Sequence, residues 1–164
     1  MEKKAKKSIF GAAIGTMVEY YDYALFAIFL PLIAPVFFPA SSAYQSLMKG
    51  YFILLLAMLS SPLAGLLFGY IGDLFGRRKA LLGSMYGIAV STFMIGFTPS
   101  HVSIGVWAAI IVTLSKSIQL FCFGGEYNGA GIYAVEHAKN KNEALMGSLL
   151  TAMTLFGALL ASIM

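Results

Sequence analysis

Cysteine occurs once in this chain, at Cys122 inside an apolar stretch, so no intrachain disulfide can form and no metal-ligand spacing exists. A lone cysteine in such a setting is a small buried apolar residue. Charge is also scarce: 11% of the 164 residues are charged, against about 25% in an ordinary soluble domain. With 59% of the residues hydrophobic and a mean hydropathy of +0.82, too few polar side chains exist to clothe a water-facing surface. There is no His/Cys/Asp cluster, nucleophile elbow or phosphate-binding loop, so no catalytic residue, metal site or organic cofactor is expected and the chain is not read as an enzyme. A net charge of +4 and a pI near 9.2 are compatible with nucleic-acid binding, but the Lys and Arg residues fall in short clusters between apolar runs and form no basic face, so no nucleic-acid partner is expected.

Long apolar runs are what the sequence has in abundance. A membrane-spanning helix needs about 20 mostly apolar residues, and five segments qualify: about 8–38, 47–71, 80–97, 103–135 and 145–164. The expected fold is therefore an all-α membrane protein, a five-transmembrane-helix bundle over residues 8–164 preceded by a basic cytoplasmic tail at 1–7. Lys3, Lys4, Lys6 and Lys7 imitate the start of a signal peptide. The run behind them extends to Phe38, well past an h-region of about 7–15 residues, so it is read as a retained first helix. Breakers separate the spans: Pro39 to Ser42, Gly72-Asp73 with Gly76, Thr98-Pro99-Ser100, and the polar stretch His137 to Glu143. Pro31 and Pro62 lie inside predicted helices, where each is expected to kink the rod. Gly11/Gly15, Gly65/Gly69, Gly83/Gly87 and Gly125/Gly129 stand at the G-x-x-x-G spacing that lets helix backbones approach closely.

Lys and Arg concentrate in cytoplasmic loops of membrane proteins. The N-terminal segment, the loop with Arg77, Arg78 and Lys79, and the loop with Lys139 and Lys141 hold nine of the eleven cations, all on one side of a five-span chain. That side is expected to be the cytoplasm, which places the N-terminus inside a plasma membrane (in bacteria, the inner membrane).

Beyond Lys49 at the start of the second span, four charges fall inside the spans: Glu19, Asp22, Lys116 and Glu126. A charge at the centre of a spanning helix costs about 2.5–3.5 kcal/mol even on the lenient insertion scale, and such residues face a polar cavity or a partner. At about 1.5 Å per residue, Glu19 lies about 15 Å from one face and Lys116 about 20 Å from the other, near a common depth. Lys116 is expected to pair with Glu19 or Asp22. Glu19 and Asp22 share a face at i, i+3, while Lys116, Gln119, Phe123 and Glu126 form one stripe on the fourth helix. Such a stripe either locks helices one and four together or lines a path for a solute or a proton. Tyr20, Tyr21 and Tyr23 beside the carboxylates are either interfacial anchors or π faces for an ammonium group.

The stretch from Gly69 through Asp73, Gly76, Arg77 and Arg78 to Lys79 resembles the G-x-x-x-D-R-x-G-R-R-K signature of the major facilitator superfamily, with Leu74 in place of its Arg or Lys. Asp73 there can accept hydrogen bonds from a helix N-terminus. Lys116 to Ala130, with Gln119 and Gly124-Gly125-Glu126-Tyr127, followed by Glu136-His137, is similar to the pattern of the metabolite:proton symporter group. Glu19-Tyr20-Tyr21-Asp22-Tyr23 is similar to that group's motif in helix one. Ser91 to Gly96, Pro99-Ser100 and Ile104 to Ala108 resemble its proline/betaine transporter subgroup. Leu120 and Glu143-Ala144 depart from the pattern.

The resemblance implies alternating access with a proton as coupling ion. Glu19, Tyr20, Asp22, Tyr23, Lys116, Gln119 and Glu126 would line the substrate and proton path, and Gly69, Asp73, Gly76, Arg77 and Arg78 would belong to a cytoplasmic gate. The solute would be a zwitterionic osmolyte (proline or betaine), with di- and tricarboxylates as the alternative. That superfamily uses twelve helices with the site between two six-helix halves, and five spans correspond to most of the N-terminal half. The expected partners are the lipid bilayer, a small solute, and a second polypeptide or another copy that completes the path. A non-transporting truncated remnant and a small membrane interaction protein are the other readings.

Overall fold

The computed structural model describes residues 2–137 and 143–164. Its elements are α1 (Glu2–Phe37), α2 (Ala43–Leu59), α3 (Ser61–Phe75), α4 (Arg77–Phe97), the short α5 (His101–Ile104), α6 (Val106–His137) and α7 (Glu143–Ser162). No strand occurs among the described residues. Five helical stretches are long and apolar enough to cross a membrane, α2 and α3 together making one of them.

The expected boundaries shift in two places. α1 begins at Glu2, so residues 2–7 of the basic segment are helical and continuous with the first span. The second span is divided at Ser60, where the backbone N–H bonds to the Ala57 carbonyl at 3.2 Å and the hydroxyl donates to the same oxygen at 2.6 Å. Pro62 follows in the first turn of α3. A proline has no N–H to lose there, so the sequence restarts a helix at that point instead of bending one in mid-course. α1 keeps both Pro31 and Pro35 inside it. Ser42 caps α2 by accepting a hydrogen bond from the Gln45 backbone at 3.3 Å. Lys49 donates to the Pro39 carbonyl just beyond α1 at 3.2 Å. The α3–α4 turn is made by Gly76 at φ +97°, a conformation that a Cβ disfavours.

α6 runs through the middle of the bundle and packs on α4, α3, α1 and α2, while α7 packs along α1. The interior mixes an apolar cluster around Phe26, Leu30, Phe38 and Val112 with small polar residues. Thr16, Ser84, Ser91 and Ser115 are buried, while Leu63, Leu66, Phe97 and Tyr86 point outward. Water could not solvate that exterior; acyl chains can. Among lipid-embedded helices association comes from close packing and interhelical polar contacts, and here glycines set the approach. A Cβ on Gly124 would lie 2.6 Å from the Ser61 carbonyl of α3, beside the hydrogen bond from Ser61 Oγ to the Leu120 carbonyl (3.2 Å). A Cβ on Gly157 would collide with the Met17 carbonyl of α1. The four G-x-x-x-G pairs behave differently. Gly15, Gly87 and Gly125 pack against Met85, Cys122 and Phe68, but Gly11, Gly69 and Gly83 meet nothing within 4 Å. Gly11/Gly15 and Gly83/Gly87 therefore do not act as two-glycine contact seams, because one member of each faces away from the neighbouring helix, whereas Gly125 and Gly129 both meet neighbours, Phe68 and Leu81. The polar stretch 138–142, with Lys139 and Lys141, lies outside the described residues.

Gly157→Val is expected to lower stability by about 1–3 kcal/mol, the usual penalty for overpacking a close contact, whereas Gly83→Val should leave it within about 0.5 kcal/mol, as for surface substitutions. Thermal unfolding in detergent followed by circular dichroism checks the contrast.

Candidate functional site: a buried polar bridge between three helices

α1 supplies Glu19 and Asp22, α4 supplies Thr92, and α6 supplies Lys116, Gln119 and Glu126. The 3.6-residue period brings Lys116 and Gln119 onto one face of α6, and the same period stacks Glu19 and Asp22 on α1. Two clusters result, one above the other along the α1–α6 seam.

The first cluster is organised by an amide. Lys116 Nζ donates to Gln119 Oε1 at 2.6 Å, and Gln119 Nε2 donates to Asp22 Oδ2 at 2.7 Å and to Thr92 Oγ1. Lys116 Nζ stands 3.9 Å from Asp22 Oδ2, at the edge of ion-pair distance, and 4.0 Å from the centre of the Phe26 ring. The lysine side chain is 1% exposed and the aspartate 33%. A buried ammonium needs hydrogen-bond acceptors and a counter-charge. Here it has one carbonyl, one aromatic face and a carboxylate held just beyond direct contact. Of the two carboxylates expected as partners of Lys116, Asp22 is the one that reaches it.

Glu19 instead faces Glu126. The two carboxyl groups interact with each other, and the Cys122 thiol and Asp22 lie nearby. Both are buried, Glu126 completely. Oε2 of Glu19 and both carboxyl oxygens of Glu126 have no hydrogen-bond partner among the described residues, and no cation there stands within ion-pair distance of either. Glu126 lies two turns beyond Gln119 on α6 and still meets Glu19, because α6 packs along α1.

Tyr20 and Tyr23 sit against Phe123 of α6, with ring centres 5.0 and 6.0 Å away. Both are half-buried in the seam next to the carboxylates. Tyr21 points elsewhere and donates to the Met164 sulfur at 2.9 Å. The two clusters border a narrow, partly open void of about 10 Å³ lined by Glu19, Asp22, Lys116 and Gln119 among others, space for one water at most. On its other side Asp22 borders an open groove of about 320 Å³ with Leu25, Phe26, Phe29 and Ile33. Thr92 and Phe26 were not expected in the site. Thr92 is one hydroxyl in an apolar helix and Phe26 one aromatic among many, and only the crossing of α1 and α4 with α6 marks them.

At the α3–α4 turn, Asp73 Oδ1 pairs with Arg77 Nη2 at 2.9 Å. Asp73 thus serves a guanidinium on the first turn of α4, not the free N–H groups expected for it, and the N-cap of α4 is Gly76 with no side-chain cap. Both partners are substantially exposed, so the pair is worth about 0–1 kcal/mol. Arg77 also borders a void of about 40 Å³ with Gly69, Gly125 and Gly129, while Arg78 is exposed. Side chains of Tyr127, Glu136, His137 and Glu143 lie outside what the structure describes.

The sugar (and other) transporter family matches the chain over residues 8–164. The proline/betaine transporter of Salmonella typhimurium is 34% identical over 159 residues, covering 97% of this chain and 32% of its own length. A putative proline/betaine transporter of Staphylococcus aureus is 39% identical over 163 residues, covering 99% and 35%. The proline/betaine transporter of Escherichia coli is 33% identical over 159 residues, covering 97% and 32%. These relatives are named as transporters, not enzymes, and the chain spans about a third of their length. No solved structure matches the chain.

The bridge should be asymmetric in its response to substitution. Asp22→Leu leaves a buried ammonium short of an anion and is expected to destabilise the chain by about 3 kcal/mol, as breaking a buried pair does. Lys116→Met leaves a partly solvated carboxylate still bonded to Gln119 and should be milder, and the double variant should recover part of the Asp22→Leu loss. Melting temperatures of the three variants in detergent check the order.

Proposed function

We propose, for a chain that belongs to the sugar (and other) transporter family of the major facilitator superfamily, that it forms one wall of a secondary transporter for small zwitterionic osmolytes such as proline or betaine. A second polypeptide, or a second copy of the chain, supplies the opposite wall, and the path opens to the two sides in turn. The observation that carries this reading is the Lys116–Gln119–Asp22 bridge at the edge of the 320 Å³ groove. A zwitterion has one positive and one negative pole, and the site has one fixed charge of each sign. The names of the relatives point to the same solute class. A di- or tricarboxylate suits it less, because its charges would meet one ammonium beside the carboxyl groups of Asp22, Glu19 and Glu126.

The proton is the coupling ion in this reading, and the Glu19–Glu126 pair carries it. Two adjacent carboxyl groups without a cation avoid the penalty of buried charge by holding a proton, and they release it when the path opens to water. Alternation of the Asp73–Arg77 contact belongs to the gate on the cytoplasmic side. The positive-inside bias supports a cytoplasmic N-terminus in a bacterial inner membrane.

The test is co-expression of this chain with the remaining two-thirds of the Staphylococcus aureus relative, followed by labelled betaine uptake into proteoliposomes under an inward proton gradient. Uptake is expected from the pair. Lys116→Ala should reduce it roughly tenfold to a hundredfold, the value of a hydrogen bond to a charged group. Glu126→Gln should abolish gradient-driven accumulation while sparing betaine exchange. A folded pair that moves no solute would instead favour a non-transporting remnant or an interaction protein.

A further inference from the structure

We propose that the Gln119 side chain is a placeholder for the solute: its amide occupies the position that the polar end of a zwitterion takes when it binds. This rests on reading the α1–α6 seam as the solute path, and it adds how the site is held while no solute is bound.

The amide is polarised in the sense a zwitterion requires. Its oxygen accepts from Lys116 at 2.6 Å, and its nitrogen donates to Asp22 at 2.7 Å. The orientation is forced by chemistry, because an ammonium can only donate and a carboxylate only accept. A carboxylate placed at the amide oxygen would meet the ammonium of Lys116. A cationic nitrogen placed at the amide nitrogen would meet Asp22. In betaine two carbons separate a carboxylate oxygen from the nitrogen, against one carbon in the amide, and the nitrogen meets a carboxylate through its methyl groups, so Lys116 and Asp22 have to move apart to admit it. Lys116 and Asp22 are already held 3.9 Å apart, short of a close ion pair.

The surroundings fit an exchange of amide for solute. The void beside the amide is only about 10 Å³, too small for a solute, so a solute that reaches Lys116 has to displace the amide. The groove of about 320 Å³ reaches Asp22. The Phe26 ring, on the wall of that groove and 4.0 Å from Lys116 Nζ, separates the groove from the ammonium. Arrival at Asp22, outward movement of Phe26 and release of Gln119 from Lys116 therefore follow in that order. Once displaced, the amide keeps Thr92 Oγ1 on α4 as a partner. Because Gln119 ties α1 and α4 to α6, its release loosens those helices at the moment of binding. An amide supplies only partial charges and a zwitterion full ones, so the exchange gains coulombic attraction at both poles.

The chain contains two glutamines, Gln45 and Gln119, so a sample labelled with ¹⁵N-glutamine gives two side-chain amide signals, and Gln119→Leu assigns them. The probes are glycine betaine, whose binding is also followed with the labelled compound, and 3,3-dimethylbutanoate, which has the same shape with carbon in place of the charged nitrogen. Betaine is expected to move the Gln119 signal saturably and leave Gln45 in place. The uncharged-head isostere should need roughly tenfold higher concentration or more, since a site built for a polar group rejects the analogue lacking it. Gln119→Leu should bind labelled betaine at least as tightly as the wild type, which a glutamine that is a direct solute ligand or a mere structural tie would not allow. Saturable betaine binding with the Gln119 signal unmoved, or equal responses to both probes, overturns the placeholder and leaves the transport reading standing. These measurements use the labelled chain assembled with unlabelled remaining two-thirds of the Staphylococcus aureus relative, and no saturable binding to that assembly overturns both.

Discussion

An ammonium group inside a bilayer has to be surrounded by partners, and most of this architecture can be traced to how Lys116 is accommodated. Its Nζ finds a carbonyl, an aromatic face and a carboxylate, contributed by α6 and α1. Gln119 extends the set to Thr92 of α4. A single amide thereby couples three helices at mid-bundle. The arrangement stops short of a close ion pair, since Asp22 is kept at 3.9 Å and remains one-third exposed. A lock evolved for rigidity alone would close that distance, because a buried pair gains most from direct, well-formed contact. A site that has to open again gains from leaving it unfinished.

The neighbouring Glu19–Glu126 pair obeys the opposite rule. It brings two acids together in a dry environment without a cation among the described residues. Nothing in packing requires this, as apolar residues would fill the same space without a polar penalty. One cluster of opposite charges bridged by an amide and one of like groups left unbridged, sharing a void of about 10 Å³, form a composite suited to coupling a solute with a proton. Around them the bundle is built from small residues. Gly124 against Ser61 and Gly157 against Met17 set the helix separations on either side of the α1–α6 seam.

The fold class could be read from hydropathy alone, because lipid immersion leaves few options besides apolar helices. The composition of the polar stripe was equally legible, since 3.6-residue spacing puts Lys116, Gln119 and Glu126 on one face. Pairing was less so. Glu19 and Asp22 are both within reach of Lys116 by depth, and the choice between them depends on the rotation of α1, which no pattern in a single helix records. Thr92 and Phe26 were invisible for the same reason. The break at Ser60 was masked by an unbroken apolar run, with Pro62 marking a helix start that resembled a mid-helix kink. The glycine pairs illustrate how spacing misleads: Gly83 and Gly87 share a helix face, yet only Gly87 has a neighbour, Cys122.

The central claim is that Asp22 and its bridge face a solute-accessible space. Asp22→Cys in a Cys122→Ala background, probed with a membrane-impermeant cationic methanethiosulfonate, tests it most directly. The account predicts that Asp22→Cys reacts, that betaine slows the reaction, and that a cysteine at outward-facing Leu66 stays unlabelled. An Asp22→Cys variant as inert as the Leu66→Cys control would contradict it, because the polar seam would then face acyl chains or be sealed.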